Sequence, residues 1–221
     1  MSSQSRPILV IGNKNYSSWS LRGWLALRRS GVDFEERRLP LDTPAFAAEI
    51  GALSPTRRVP VLWDGDLCIW DSLAIAEYAN ERWADGRLLP ADPALRGRAR
   101  SLCAEMHSGF QALRGAMPMN CRALGRSVPM TDELSADIRR VIDLWCEARA
   151  ARAGAGPWLL GDFSLADLMY APVVLRFRTY GVQVPDVARA YMDTLLEDAD
   201  IVEWLAAAQT ETEVLEAEEV G

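Results

Sequence analysis

The serine pair Ser17-Ser18 is the first feature of the sequence with a clear capacity for chemistry. It lies between an apolar run at residues 8–11, which predicts a buried strand, and a helical spacing of apolar residues from Leu21 onward. Serine before a helix most often caps it by accepting a hydrogen bond from a first-turn N–H group. The same terminus carries a partial positive charge, so a hydroxyl there can also help to hold an anion such as a thiolate.

Two further segments have simple structural explanations when each is taken alone. Val59-Pro60 opens a predicted strand at residues 59–62, where the missing N–H of proline is tolerated. Asp71-Ser72 precedes a helical pattern and is explained by capping. The order and spacing of the three segments, rather than any one of them, carry the functional information.

The elements that position these residues form two regions. The order β-α-β-α-β-β-α within residues 1–83, with a tight hairpin at Asp64-Gly65-Asp66, predicts a small mixed sheet covered by helices. Residues 84–93 are a proline-marked linker. Residues 94–221 are all-α, with helical spacing in five segments: 94–116, 131–152, 164–180, 186–197 and 199–209.

Composition excludes several classes of function. The net charge is −7, and five acidic residues fall in residues 211–221 without any basic one, so the preceding chain carries only −2. A protein without basic surplus lacks the electrostatic footprint of a nucleic-acid or membrane-surface binder. No apolar run is long enough to span a bilayer, and the four scattered cysteines have no zinc spacing. We therefore expect a cytoplasmic protein with free thiols, no metal site, and no nucleic-acid or membrane partner.

The combination of motifs resembles the glutathione S-transferase family, in its serine-type bacterial or zeta-like form. Residues 72–78, Ser-Leu-Ala-Ile-Ala-Glu-Tyr, look like the family's Ser-x-Ala-Ile-x-x-Tyr helix, and Leu88-Leu-Pro90 is similar to its linker. Residues 160–167 resemble its capping segment, in which Ser164 and Asp167 form a capping box. The resemblance implies a thioredoxin-like α/β first domain, an all-α second domain and a homodimer.

The resemblance also implies a glutathione site. The γ-glutamyl carboxylate is expected on Ser72, with Asp71 near the glutamyl amine, and the cysteinyl backbone on Val59 beside a cis Pro60. Arg57 and Arg58 are candidates for the glycyl carboxylate, and Arg58 is preferred. The thiol is expected to reach Ser17 or Ser18. We favour Ser17 as the thiolate's donor and Ser18 as the helix cap.

The implied activity is that of a glutathione transferase, which activates the thiol for conjugation to, or reduction of, a small hydrophobic or acidic electrophile. One alternative is a maleylacetoacetate-type cis-trans isomerase, which an extra arginine near the pocket, Arg176 or Arg178, would favour. The other is a non-catalytic binding module with the same fold. The role implied for the protein is detoxification.

Three expectations concern the rest of the site. The electrophile pocket is expected between the domains, with Met106, Phe110 and Met117 in its wall. His107, the single histidine, is expected to be structural or on the surface. The acidic end, residues 211–221, is expected to be a solvated and dispensable tail.

Overall fold

The first domain is built around a four-stranded mixed sheet. A computed structural model describes residues 6–152 and 156–221, so residues 1–5 of the predicted first domain and 153–155 of the second lie outside the described residues. The elements of the first domain are β1 (Ile8–Ile11), α1 (Ser18–Ser30), β2 (Glu35–Arg38), α2 (Pro44–Leu53), β3 (Val61–Asp64), β4 (Leu67–Trp70) and α3 (Ser72–Arg82). Each predicted element is present, although the second strand, expected over 32–39, begins three residues later and the third strand begins two residues later.

The sheet order is β2-β1-β3-β4, with β1 parallel to β2 and antiparallel to β3. The β3–β4 hairpin closes at Gly65, whose φ of 61° suits a residue without Cβ. Leu9 and Ile11 of β1 are fully buried in the main core, while Val10 and Val61 face a smaller core under α2. The period-two alternation therefore places helices on both faces of the sheet, which confirms the predicted α/β thioredoxin-like domain.

The second domain is helical throughout the residues that the structure describes. Its helices are α4 (Pro93–Ser108), α5 (Gln111–Ala116), α6 (Asp132–Ala150), α7 (Leu165–Thr179), α8 (Asp186–Leu196) and α9 (Ala199–Thr210), followed by a 3₁₀ turn at Glu216–Glu218. None of the helices within 6–152 and 156–221 has the length and apolar character that a membrane crossing requires.

The prediction of one continuous helix over 94–116 is wrong, because the chain forms two helices, α4 and α5, separated by Gly109-Phe110. Phe110 has a left-handed φ of 58°. A Cβ on Gly109 would lie 2.7 Å from the carbonyl oxygen of Glu105, so only glycine fits the end of α4. The break redirects α5 and thereby sets the position of Arg114.

Helix α7 is buried along almost its whole length and packs against both α1 and α4. The predicted capping box at its start is confirmed: the Asp167 carboxylate accepts hydrogen bonds from the Ser164 N–H at 2.8 Å and the Leu159 N–H at 3.0 Å. Burial raises the pKa of Asp167 to about 6. Because the Leu165 N–H also donates to Leu88 O at 2.8 Å, the cap ties α7 to the linker.

The C-terminal segment, residues 211–221, is not a solvated tail, and that expectation is wrong. The Glu211 carboxylate accepts hydrogen bonds from the N–H groups of Lys14 and Asn15 at 2.7 and 2.9 Å. Glu219 accepts one from the Tyr16 hydroxyl at 2.7 Å. These carboxylates accept hydrogen bonds from fixed N–H and O–H groups of the first domain, which a solvated tail does not do. The segment is therefore part of the fold.

Candidate functional site

Five of the eight candidate residues for the glutathione site line one cavity of about 480 Å³, here called the Val59 cavity. Its lining residues are Trp19, Thr56, Arg58, Val59, Pro60, Trp70, Asp71, Ser72, His107 and Arg114. Arg57 does not line this cavity, and its guanidinium lies near the Ala47 carbonyl of α2. The two predicted serines line a second cavity next to it.

Val59 is placed in the cavity wall by the turn that leads into β3. The Val59–Pro60 peptide bond is cis, as predicted. Pro60 packs on Gly23 of α1, where an added Cβ would come within 3.1 Å of the proline ring. Neither the N–H nor the C=O of Val59 forms a backbone hydrogen bond in the described part of the chain. A peptide backbone can therefore pair with Val59 as an added strand would.

Asp71 is the N-cap of α3 and Ser72 is its first residue, and both line the Val59 cavity. One Asp71 oxygen caps the helix by accepting hydrogen bonds from Leu73 N at 2.8 Å and Ala74 N at 3.2 Å. The Ser72 hydroxyl is buried and has no partner among the described residues. An unpaired donor at a helix N-terminus suits a carboxylate.

His107 lies in the wall of the Val59 cavity. The prediction of a structural or surface residue therefore does not describe its position fully. Its Nε2 lies 3.0 Å from the second oxygen of Asp71, and its ring packs edge-on to Trp19 with centroids 5.3 Å apart. This pair connects α4 of the second domain to the start of α3. Nothing in the local sequence distinguishes His107 from an ordinary helix residue, because the contact depends on the packing of the two domains.

The second cavity, here called the serine cavity, has a volume of about 260 Å³. Its lining residues are Tyr16, Ser17, Ser18, Trp19, Leu41, Arg114, Arg176 and Glu218. Trp19 and Arg114 line both cavities, so the two cavities are adjacent. The expected wall residues Met106, Phe110 and Met117 are instead buried in the core, so that expectation is wrong.

The helix cap is Ser17 and not Ser18, the reverse of the roles predicted from the sequence. Ser17 is the N-cap of α1: its Oγ accepts a hydrogen bond from Ser20 N at 3.3 Å and donates one to Ser20 Oγ at 2.7 Å. Ser18 is the first helical residue, and its Oγ accepts a hydrogen bond from Arg176 Nη2 at 3.3 Å. The prediction that Ser18 is the cap is therefore wrong, since capping geometry requires the residue one position earlier.

Three arginines surround Ser18. Arg176 donates to the Met117 carbonyl at 2.7 Å through Nε, but its buried Nη1 has no partner in the described chain. Arg22 donates to the carbonyls of Met169 and Ser18 at 2.9 and 3.4 Å. Arg114 lies over the Trp19 ring at 4.6 Å from its centroid.

The positive charge of these arginines is not neutralised locally. None of the three forms an ion pair with a residue in 6–152 or 156–221. Burial, and next the charge of Arg114, lowers the pKa of Arg176 to about 10. Burial and then the charges of Arg176 and Arg114 lower the pKa of Arg22 well below its ordinary range. Such a cluster favours a bound anion.

Two family models match the chain. The glutathione S-transferase N-terminal domain matches residues 16–82, and the glutathione S-transferase C-terminal domain matches residues 131–207. The two matches together cover more than half of the sequence. The chain therefore belongs to the glutathione S-transferase family, which confirms the fold class and the enzyme class predicted from the motifs.

Individual relatives fit this assignment. Maleylacetoacetate isomerase of Mus musculus is 30% identical over 185 residues, which are 81% of this chain and 82% of that protein. A holo structure of maleyl pyruvate isomerase, described as a bacterial zeta-class glutathione S-transferase, has a TM-score of 0.71 at 25% identity and covers 93% of this chain and 100% of its own. A glutathione transferase homolog from Burkholderia, with bound glutathione, has a TM-score of 0.69 at 23% identity. The match covers 93% of this chain and 98% of the homolog.

Proposed function

We propose that glutathione binds in the Val59 cavity. Its γ-glutamyl carboxylate accepts hydrogen bonds from the N–H and hydroxyl of Ser72, and its cysteinyl backbone pairs with Val59. Arg58, on the cavity rim, binds the glycyl carboxylate. Asp71 is close enough to the glutamyl amine to accept a hydrogen bond from it while it remains paired with His107. The unpaired Ser72 hydroxyl and the free Val59 peptide groups support this placement.

We further propose that Ser18, and not Ser17, is the thiolate's donor. The Ser17 hydroxyl already donates to Ser20, whereas the Ser18 oxygen accepts from Arg176 and leaves its own hydrogen available. A free thiol has a pKa near 8.5, so lowering it by about two units requires about 2.7 kcal/mol of preferential thiolate stabilisation. A charge-assisted hydrogen bond, the helix terminus and the nearby arginines can jointly supply it.

The electrophile that the serine cavity favours carries a carboxylate, and the reaction class is cis-trans isomerisation of a maleyl-type diacid. The thiolate forms a C–S bond to one carbon of the cis double bond, and the π electrons move onto the conjugated carbonyl as an enolate. After rotation about the new single bond, the electron pair returns, the C–S bond breaks and the trans double bond forms. Glutathione is regenerated, and no general base is needed.

The observation that carries this proposal is the buried Arg176, with one nitrogen on Ser18 and another without a partner. The test compares isomerisation of a maleyl-type diacid by the wild type, Arg176→Met and the matched control Arg178→Met. Arg178 lies two residues along the same helix and lines neither cavity. Arg176→Met is expected to lose about 10- to 100-fold in kcat/KM, the value of a charge-assisted hydrogen bond, and Arg178→Met almost nothing.

Consumption of glutathione distinguishes the alternatives. The isomerase converts many equivalents of diacid for each glutathione, whereas conjugation of an aryl halide or reduction of a hydroperoxide consumes one or two. Stoichiometric consumption of glutathione without isomerisation supports a transferase that conjugates glutathione to a hydrophobic electrophile. The Trp19 and Trp70 side chains in the Val59 cavity provide an apolar surface for such a molecule. Retention of glutathione without any turnover supports a binding module.

A homodimer is part of the proposal. Leu67 of the edge strand β4 is 50% exposed, and an edge strand with an exposed apolar side chain favours association. Sedimentation is expected to give about twice the chain mass, and a mass near 24.5 kDa contradicts the dimer. A cytoplasmic location and a role in detoxification also belong to the proposal; the four free cysteines fit a reducing compartment.

A further inference from the structure

The C-terminal segment reaches the serine cavity because it is fixed on both sides of residues 14–18, here called the serine turn. At its start, Glu211 accepts from the backbone of Lys14 and Asn15, and Arg122 donates to the Glu213 carbonyl at 2.9 Å. At its end, Glu219 accepts from Tyr16 at 2.7 Å and from Asn120 at 2.9 Å, and pairs with Arg126. The 3₁₀ turn between these anchors carries Glu218.

Glu218 lines the serine cavity together with Arg114 and Arg176. Its side chain is half-buried and forms no ion pair or side-chain hydrogen bond with the residues described here. Burial raises its pKa, the charge of Arg176 lowers it and the charge of Asp42 raises it. Arg176 and Glu218 therefore line one cavity without forming an ion pair with each other, and a substrate carboxylate that Arg176 attracts shares this cavity with the Glu218 carboxylate.

The charge of the wall follows from this arrangement. Arg114 and Arg176 contribute two positive charges to the serine cavity, and Glu218 contributes one negative charge. The net positive charge attracts a carboxylate. A second carboxylate on the same small molecule gains less, because Glu218 lies in the wall of the same cavity of about 260 Å³, a partly desolvated space where Coulomb repulsion is strong.

We infer that Glu218 is a specificity-determining residue of the electrophile site, which selects substrates by their number of negative charges. This inference rests on the proposed function for the location of the electrophile. Its carboxylate lowers the affinity for a dianionic electrophile, the diacid of the proposed reaction included, more than the affinity for a monoanionic or a neutral one. The same repulsion hastens release of a dianionic product, which otherwise binds the same arginines as the substrate.

The experiment measures binding rather than turnover. Fumarate, its monomethyl ester and its dimethyl ester share one skeleton and carry two, one and no carboxylates. Calorimetric titration with each, in the presence of S-methylglutathione so that no thiol can react, gives three dissociation constants for the wild type and for Glu218→Gln. The matched control is Glu216→Gln, which removes the same charge from an exposed position of the same turn.

Glu218→Gln is expected to tighten binding of the dianion about three- to tenfold, the monoester less and the diester not at all. Glu216→Gln is expected to leave all three constants unchanged. Equal constants in the wild type and Glu218→Gln, equal tightening of all three ligands, or the absence of measurable dianion binding by both proteins overturns the inference. Thermal unfolding verifies that the variants are folded, which the lack of hydrogen bonds from Glu218 leads us to expect.

The outcomes separate this inference from the proposed function. If the charge-dependent shift is found but no maleyl-type diacid is isomerised, the proposed reaction is wrong and the role of Glu218 stands. If the diacid is isomerised and the three constants do not change in Glu218→Gln, the reaction stands and Glu218 does not select charge.

Discussion

The Val59 cavity and the serine cavity are neighbours that are built in different ways. Most of the Val59 cavity comes from two short stretches of one domain, around Val59 and around Ser72. The wall of the serine cavity combines the first turn of α1 with α5, α7 and the C-terminal segment. The first cavity therefore depends on local backbone geometry, and the second on how the whole chain packs.

The largest expected effect comes from removing the C-terminal segment. A chain that ends at Thr210 loses the carboxylates on Lys14, Asn15 and Tyr16, so the unfolding free energy is expected to fall by about 2–4 kcal/mol. Conjugation of a neutral aryl halide is expected to fall at least about tenfold, because the serine turn is no longer held in place. Glutathione affinity is expected to stay unchanged.

Denaturant unfolding, aryl halide kinetics and glutathione titration measure these three effects. If glutathione affinity falls as steeply as turnover, the two cavities are not independent, and the comparison between them fails. If neither activity nor stability changes, the segment is dispensable after all.

Ser72→Ala is expected to have a smaller effect, confined to the Val59 cavity. Loss of one hydrogen bond to the glutamyl carboxylate weakens glutathione binding about 10-fold, within the range for a hydrogen bond to a charged group. At saturating glutathione, the pKa of the bound thiol and kcat are expected to equal those of the wild type. A changed thiol pKa in Ser72→Ala contradicts the separation of the two cavities.

Asp167 gives a test of the helix that carries Arg176. Its folded-state pKa of about 6 lies above the ordinary value of 3.8, so the folded protein binds this proton more tightly than the unfolded chain does. Asp167 therefore contributes stability at low pH that is lost as the pH rises through about 6, with an upper limit of about 3 kcal/mol.

Urea unfolding of the wild type and Asp167→Asn at pH 4 and pH 7.5 isolates this contribution. The unfolding free energy of the wild type, measured relative to that of Asp167→Asn, is expected to be lower at pH 7.5 than at pH 4. A difference that is independent of pH, or that shifts the other way, shows that the capping donors outweigh burial.

The contrast between the cavities also explains what the sequence could predict. The Gly65 turn, the Ser164 capping box and the residues around Val59 and Ser72 are short contiguous patterns whose local conformation defines their role. Arg114 was missed because the helix break at Gly109-Phe110 has no signal in the apolar spacing.

Glu218 was missed because a run of acidic residues is typical of a solvated chain end. The partners of its segment lie on the serine turn and around Asn120, Arg122 and Arg126, far away in sequence. The same kind of long-range contact determines the roles of the two serines, since the hydrogen-bonding state of Ser18 depends on Arg176 of the other domain.

The central claim is that Ser18, supported by Arg176, stabilises the thiolate, while Ser17 maintains the helix start. The most direct measurement is the pH titration of the ultraviolet absorbance of bound glutathione thiolate in Ser17→Ala and Ser18→Ala. Ser18→Ala is expected to raise the thiol pKa by about one to two units, and Ser17→Ala is expected to leave the pKa near the wild-type value while it lowers stability by about 1 kcal/mol. A raised thiol pKa in Ser17→Ala together with an unchanged one in Ser18→Ala contradicts the account.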